Sequence, residues 1–314
     1  MFRYIIRRLL ALIPVLLGIS VVVFMLIHLV PGDVVSILLG PTATAPTRDA
    51  LRKSLGLDQP IYIQYFRWLG NVLQGNLGTS IRTGQPVLHE ILQRFPVTLE
   101  LTLLSMVLAV IIGIAAGVIG AIKQYSKVDY AVTIFALAGL SIPNFLLATI
   151  FILFFALMVR WLPPSGYVPF GQDPLENLKL MIMPALALGL GAASYVARMT
   201  RSSVLETLRQ DYIRTAYAKG LRAWSVVIHH ALKNALIPIV TVVGIQLGYL
   251  LGGAVIIETI YTLPGIGRLA LDGINMRDYP VVQGTVLFIT VVFVFINLAV
   301  DILYAYIDPR INYD

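Results

Sequence analysis

The stretch LTLLSMVLAVIIGIAAGVIGAI, Leu101–Ile122, runs for 22 residues without an Asp, Glu, Lys or Arg. A hydrocarbon core of about 30 Å is crossed by roughly 20 helical residues, so this run is long enough to span. Five more charge-free runs share the chain: Leu9–Val30 (22 residues), Ala131–Val159 (29), Met181–Ala197 (17), Ala235–Ile257 (23) and Val281–Val300 (20). Met181–Ala197 is at the lower limit of length. Ala131–Val159 is long enough to tilt or break, and Ser141-Ile142-Pro143-Asn144 supplies the break, with a proline and two polar side chains. The fold class expected is an all-α membrane protein with six transmembrane helices.

Composition agrees. Of 314 residues, 58% are apolar and 12% charged, with a mean hydropathy of +0.85. A soluble domain carries about 25% charged residues, so this chain has too little charge to cover a water-facing surface. Intrinsic disorder needs the opposite composition. The absence of cysteine removes disulfide frameworks, thiol catalysis and cysteine-ligated metals. In a soluble protein the net charge of +7 would suggest nucleic acid. Here the basic residues are placed relative to the membrane, and no nucleic-acid partner is expected.

The first run has a signal-peptide alternative, because Arg3, Arg7 and Arg8 precede it and Ala43-Thr44-Ala45 resembles a cleavage site. The apolar run exceeds the usual leader core of about 7–15 residues, and the cleavage-like site lies far downstream, ahead of Pro46. A retained first helix is expected. With the N-terminus inside, the inner segments hold 13 Lys and Arg and the short outer loops hold four: Arg160, Lys179, Arg268 and Arg277. The positive-inside rule then puts both termini in the cytoplasm and segments 31–97, 160–180 and 258–280 outside.

The long outer segment reads as helical. Leu51 to Leu55 follow Thr47 in a short helical pattern that stops at Gly56. Pro60 opens a second helix with Ile61, Tyr65, Trp68 and Val72 on one face and Gly75 at its end. Pro86 opens a third, running to Arg94. A cap over the bundle and a docking role both fit this segment. In the inner segment 198–234, Val204, Leu208, Tyr212 and Ala216 recur every four residues on one helix face. Lys219 and Gly220 close that helix with a cation and a residue suited to a left-handed cap. Trp224, Val227, Ile228, Ala231 and Leu232 form a second amphipathic pattern. The basic face, Arg209, Arg214 and Lys219, suits either anionic lipid or a cytoplasmic partner.

The sequence carries no recognisable catalytic motif. No lysine follows a glycine, so there is no phosphate-binding loop. His89-Glu90 lacks a second histidine four residues on, and His229-His230 are adjacent and point to different helix faces. No Gly-x-Ser-x-Gly elbow is present. The six runs hold no acid or strong base, and Glu100, Glu258 and Asp301 sit at helix ends. This weighs against a proton-driven carrier. Ser105, Ser141, Asn144, Ser194, Gln246, Thr290 and Asn297 are the polar groups available to line a path or to bond between helices. Gly244, Gly248 and Gly252 form a smooth stripe, and Gly113/Gly117 a shorter one. Both fit packing within the chain, a second subunit or a pore.

Several stretches in order resemble the B-type permease subunit of dipeptide, oligopeptide and nickel ABC importers, over essentially the whole chain. They are Tyr4-Ile5-Ile6-Arg7-Arg8, Pro31-Gly32-Asp33, Leu55-Gly56-Leu57-Asp58-Gln59-Pro60, Gly75-Asn76-Leu77-Gly78-Thr79-Ser80, Gly252-Gly253-Ala254-Val255-Ile256-Ile257-Glu258, Pro264-Gly265-Ile266-Gly267, Arg277-Asp278-Tyr279-Pro280-Val281-Val282-Gln283-Gly284 and Asp308-Pro309-Arg310. The inner stretch Asp211–Leu221, continuing through His230–Pro238, resembles this subfamily's coupling motif. Aligned on Gly220 it keeps Ala216, Gly220 and Leu232 of the general motif. Arg214 and Thr215 stand in place of its first two residues, and His230 and Lys233 replace its Ile and Pro.

The resemblance implies the type I ABC importer permease fold, divided as residues 1–30 (N-terminus and first helix), 31–96 (external helical segment), 97–305 (permease core with coupling loop 198–234) and 306–314 (cytoplasmic tail). It implies no catalytic residue and no cofactor on this chain. ATP and Mg belong on one or two separate P-loop ATPases, a homologous C-type permease completes the pathway, and an extracytoplasmic binding protein delivers small peptides or similar solutes. It places the chain in a bacterial inner membrane. Tyr212, Arg214, Ala216, Lys219, Gly220, Leu221 and Leu232 are the expected ATPase-coupling residues. Asn144, Gln246, Glu258, Pro264 and Gly265 are pathway or gate candidates from position. The alternative reading is a stand-alone secondary carrier.

Overall fold

A computed structural model describes residues 2–29, 44–54 and 58–307. Pro31-Gly32-Asp33, Leu55-Gly56-Leu57, Asp308-Pro309-Arg310 and most of the 306–314 tail lie outside them. The described residues are helical, with one isolated antiparallel bridge between Thr79 and Pro86. In chain order the helices are α1 (Phe2–Leu29), α2 (Ala45–Ser54), α3 (Ile61–Leu73), α4 (Val87–Ile122), α5 (Lys127–Ser141), α6 (Asn144–Phe151, continued by a π-helical stretch Ile152–Met158), α7 (Pro174–Leu208), α8 (Asp211–Ala218), α9 (Lys233–Ile260), α10 (Ile266–Asn275) and α11 (Tyr279–Ile307). A short turn Ala223–Ser225 and a π-helical stretch Val226–Leu232 lead directly into α9.

Five of these helices are long and apolar enough to cross a membrane alone, and α5 with α6 makes a sixth span bent by 105°. The bend sits where the proline was expected to put it. Ile142 and Pro143 are extended (ψ 121° and 141°), as the residue before a proline is pushed to be. The 17-residue run Met181–Ala197 is the middle of a 35-residue helix. Asp173 caps α7 by accepting from the N–H groups of Leu175 and Glu176 (3.0 and 3.1 Å), with Pro174 following.

The chain divides into two units. The first comprises Met1–Ile5, Pro96–Arg268 and Phe293–Asp314. Its axis is α7, whose apolar window is 72% buried, against 17% for α1. Met181, Met183 and Leu188 of α7 pack with Leu101 of α4, Ile257 of α9, and Tyr261 and Leu263 beyond it. The second cluster joins Val118, Val196, Val204, Val227 and Ile239. Close approach explains the short glycine stripe. A Cβ on Gly113 would meet Val196 and the Ala193 carbonyl, and one on Gly117 the Ala197 carbonyl, at 2.6–2.8 Å. The longer stripe packs inside the chain at Gly244, against Val300, and at Gly248, against Phe293, while Gly252 faces open space.

The second unit comprises Ile6–Phe95 and Leu269–Val292. Here two of the motifs meet. The carboxylate of Asp278 is buried and accepts from the Ser80 hydroxyl (2.5 Å), Ile81 N–H (3.2 Å) and Arg82 N–H (3.3 Å). The Gly75–Ser80 loop therefore closes around the Arg277–Pro280 corner. Gln283 of α11 donates to the Val23 and Phe24 carbonyls of α1 (3.2 and 3.4 Å), and Phe95 meets Phe288 edge-on at 5.2 Å.

Two helix limits differ from those expected. The helix opened after Pro86 does not stop at Arg94 but runs through Pro96 to Ile122. The missing proline N–H deprives only the carbonyl of Leu92, a residue on the exposed side. The face Val204–Ala216 is not one helix. The chain turns extended at Gln210 (ψ 148°) between α7 and α8, which puts Ile213 rather than Tyr212 in the buried seam with Ala216.

Candidate translocation cavity and coupling helix

A cavity of about 600 Å³ opens where the α5–α6 bend faces α7 and α9. Asn144, the first residue of α6, and Gln246, at the middle of α9, both line it, with Tyr195, Tyr249 and Leu188. Gln246 is 8% exposed. Among the described residues neither amide has a protein hydrogen-bond partner, so their donors and acceptors face the cavity. No acid or base lines it. The other interior polar groups mostly bond their own helix. Ser105 donates to Leu101 O (2.7 Å), Thr290 to Val286 O (2.7 Å), Asn297 to Phe293 O (2.9 Å) and Ser194 to Leu190 O (3.0 Å).

Glu258, Pro264 and Gly265 gather elsewhere in the same unit. The Glu258 side chain is fully buried. Its carboxylate accepts from the Thr98 hydroxyl (2.5 Å) and from Arg268 N–H (2.9 Å), while Thr98 Oγ1 accepts from Ile266 N–H (2.9 Å). Glu258 and Thr98 thus satisfy the first N–H groups of α10 and hold the Tyr261–Gly265 turn, with Leu263 N–H on the Glu258 carbonyl (2.8 Å). A side chain on Gly265 would collide with that carboxyl group. The Tyr167 hydroxyl donates to Glu100 (2.9 Å). Burial first, then that carboxylate, pushes its phenol up to about 12, so it stays a donor at any physiological pH.

The segment between α7 and α9 presents α8. Ile213 and Ala216 are its buried seam, against Val226 and Ala231. Its end is a Schellman cap: Gly220 N–H reaches Tyr217 O (2.9 Å), Leu221 N–H reaches Ala216 O (3.4 Å), and Gly220 takes φ +79°. Tyr212 Oη accepts from Asn234 Nδ2 (2.8 Å), tying α8 to the base of α9. Arg214 pairs with Asp211 at 3.3 Å, both largely exposed. Lys219 is exposed, and Leu232 is half-buried among Val118, Val227 and their neighbours. Of the predicted coupling residues, then, Tyr212, Arg214, Lys219, Gly220 and Leu221 are on the surface, whereas Ala216 and Leu232 hold the segment from beneath. Two exposed aromatics stand beside them, Tyr217 (45% exposed), which no sequence pattern singles out, and Trp224 (65%). Trp224 opens the second amphipathic pattern but stands exposed, whereas Val227 and Ala231 of that pattern are buried.

A half-buried ion pair, with Asp129 buried and Arg201 partly exposed, also escaped the sequence. Arg201 of α7 donates from Nε and Nη2 to the two oxygens of Asp129 (2.6 and 2.8 Å), and Tyr125 N–H adds a third bond (3.0 Å). This fastens the start of α5 to the helix that leads into α8.

Residues 97–313 match the family of binding-protein-dependent transport system inner membrane components, and residues 1–102 match the N-terminal part of such components. The chain belongs to this family. It is 46% identical to the dipeptide transport system permease protein DppB of Alkalihalophilus pseudofirmus, over all of both chains. It is 44% identical to the glutathione transport system permease protein GsiC of Escherichia coli, again over both whole chains. A probable peptide ABC transporter permease of Sinorhizobium fredii is 43% identical over 99% of each. The fold is that of the inward-facing MetNI methionine ABC transporter, with a TM-score of 0.58 at 22% identity over 70% of this chain and 96% of that one. The chain is therefore a multi-pass permease component, as the sequence motifs implied.

Proposed function

We propose that this chain forms half of the membrane pathway of an ATP-driven importer of small peptides. Relatives named for dipeptide, peptide and glutathione transport support that cargo class. The observation that carries the reading is the pair of unpartnered amides, Asn144 and Gln246, in one uncharged cavity. A primary amide offers both a donor and an acceptor, which matches a peptide bond whatever the side chains beside it. A volume of about 600 Å³ is within the range of small-molecule sites, about 300–1,000 Å³. A homologous C-type permease completes the pathway, a binding protein delivers the peptide, and one or two P-loop ATPases holding ATP and Mg seat on α8. Both termini face the cytoplasm of a cell whose inner membrane holds the complex. The stand-alone carrier is disfavoured by family membership and by a cavity without ionisable coupling groups.

Uptake of a labelled dipeptide by cells carrying Asn144→Ala and Gln246→Ala, with protein level measured in the same membranes, tests the cavity. A hydrogen bond of about 1–1.5 kcal/mol corresponds to roughly tenfold per site, so each variant should lower the apparent affinity by about that factor. Unchanged uptake in the double variant would remove the cavity from the pathway.

A further inference from the structure

Helix α3 (Ile61–Leu73) has three sides. Tyr65, Trp68 and Val72 are half-buried and lie on one line, at spacings of three and four. They face α1: Tyr65 Oη shares a hydrogen bond with Ser20 Oγ (2.8 Å), and Phe24 meets the rings of Tyr65 and Trp68 at 5.4 and 5.7 Å. A second line, Tyr62, Phe66 and Leu73, with half-buried Leu69 between the last two, is apolar and uncovered; these three are 65, 67 and 79% exposed. Gln64, Arg67 and Asn71 make up the remaining polar side. Arg67 is the one charged residue among thirteen.

The contact with α1 sets the depth. Ser20 and Phe24 lie within the apolar window Arg8–Met25 of the first span. Val21 and Val22 beside them are exposed apolar residues of the same span, 42 and 62%, a surface that only lipid tails or a partner subunit would cover. Phe24 lies five residues, about 7–8 Å, before the end of α1 at Leu29, so a helix whose Tyr65 and Trp68 pack on it reaches only the last turns of the span, and its uncovered stripe is apolar like the exposed Val21 and Val22 of α1. An aromatic-rich amphipathic helix with a polar back is the form that lies in the headgroup–acyl boundary. We propose that α3 is an interfacial helix. Its Tyr62–Phe66–Leu73 stripe rests in the lipid of the leaflet at the C-terminal end of α1, and Gln64, Arg67 and Asn71 face water. The helix thereby braces the first span, and it is neither a lid over the bundle nor a seat for the binding protein.

The chain has no cysteine, so single cysteines report where they are placed. The assembled permease, its partner subunits made cysteine-free, is reconstituted in phosphatidylethanolamine–phosphatidylglycerol vesicles with a spin label at Phe66→Cys, Leu73→Cys or Asn71→Cys. Relaxation by oxygen, which concentrates in lipid, is compared with relaxation by a water-soluble nickel chelate. The proposal expects oxygen to act several-fold more strongly than the chelate at positions 66 and 73, and the reverse at 71. Stronger relaxation by the chelate at 66 and 73 would show an aqueous, dockable face and overturn it. Exclusion of both relaxants there would show a protein cover and overturn it equally. Leu73, at the helix end, keeps the test available if the Phe66 variant fails to assemble.

Discussion

At the scale of single residues, the Glu258 carboxyl group fills the space that any side chain on residue 265 would need. Gly265→Ala puts a methyl group into the carboxyl group, and overpacking of this kind costs about 1–3 kcal/mol. A lowered melting temperature of the purified complex in detergent is expected, with the chain still inserted; an unchanged melt contradicts the packing. Glu258→Gln keeps the shape and weakens the bonds from Thr98 and Arg268 N–H, which are worth about 1.5–3 kcal/mol each when the acceptor is charged. Its melt should fall as well. The motif Glu258…Pro264-Gly265-Ile266-Gly267 was visible in the sequence. Its packing was not, because nothing in a linear pattern shows that a carboxylate is buried against a turn seven residues on and against Thr98, 160 residues earlier.

At the scale of elements, α8 is a short helix held by two buried residues and a glycine cap, with most of its surface left free. Gly220→Pro breaks the cap and should abolish uptake while leaving the chain in the membrane; retained uptake at normal protein level would contradict a coupling role. Arg214→Glu removes only an exposed i,i+3 pair of little stabilising value, so folding should be unaffected and ATPase recovery in a pull-down should fall. Trp224→Ala should lower it further, since a buried interface Trp is commonly worth about 2 kcal/mol or more, roughly 30-fold. Full recovery at physiological salt for both would hand the face to lipid. The Asp129–Arg201 latch gives an independent prediction. Arg201→Ala leaves the buried Asp129 carboxylate without its bidentate partner, so it should destabilise α5 against α7, seen as faster proteolysis of the 123–126 loop. The α5–α6 bend was legible, because Pro143 acts locally. The break at Gln210 was not, because a spacing of four suits Tyr212 and Ala216 in a helix of either start. An end at Arg94 obeyed the rule that helices stop ahead of proline, yet Pro96 sits inside α4, where the carbonyl it deprives belongs to an exposed residue.

At the scale of the whole molecule, six apolar spans, an uncharged cavity and an exposed helix between α7 and α9 are the parts to which the proposed importer reading gives the labour of transport. In the proposed reading the pathway needs no reactive group of its own, and the energy would come from partner ATPases through α8. The six charge-free runs already contained the architecture, because length and apolarity alone decide what crosses a bilayer. The measurement that tests the account most directly is uptake of a labelled dipeptide into vesicles holding this chain with its co-purifying partners. Uptake should require ATP hydrolysis and binding protein, and should persist when a protonophore collapses the proton gradient. Uptake by this chain alone, without ATP and abolished by the protonophore, would contradict the account and make the chain a carrier.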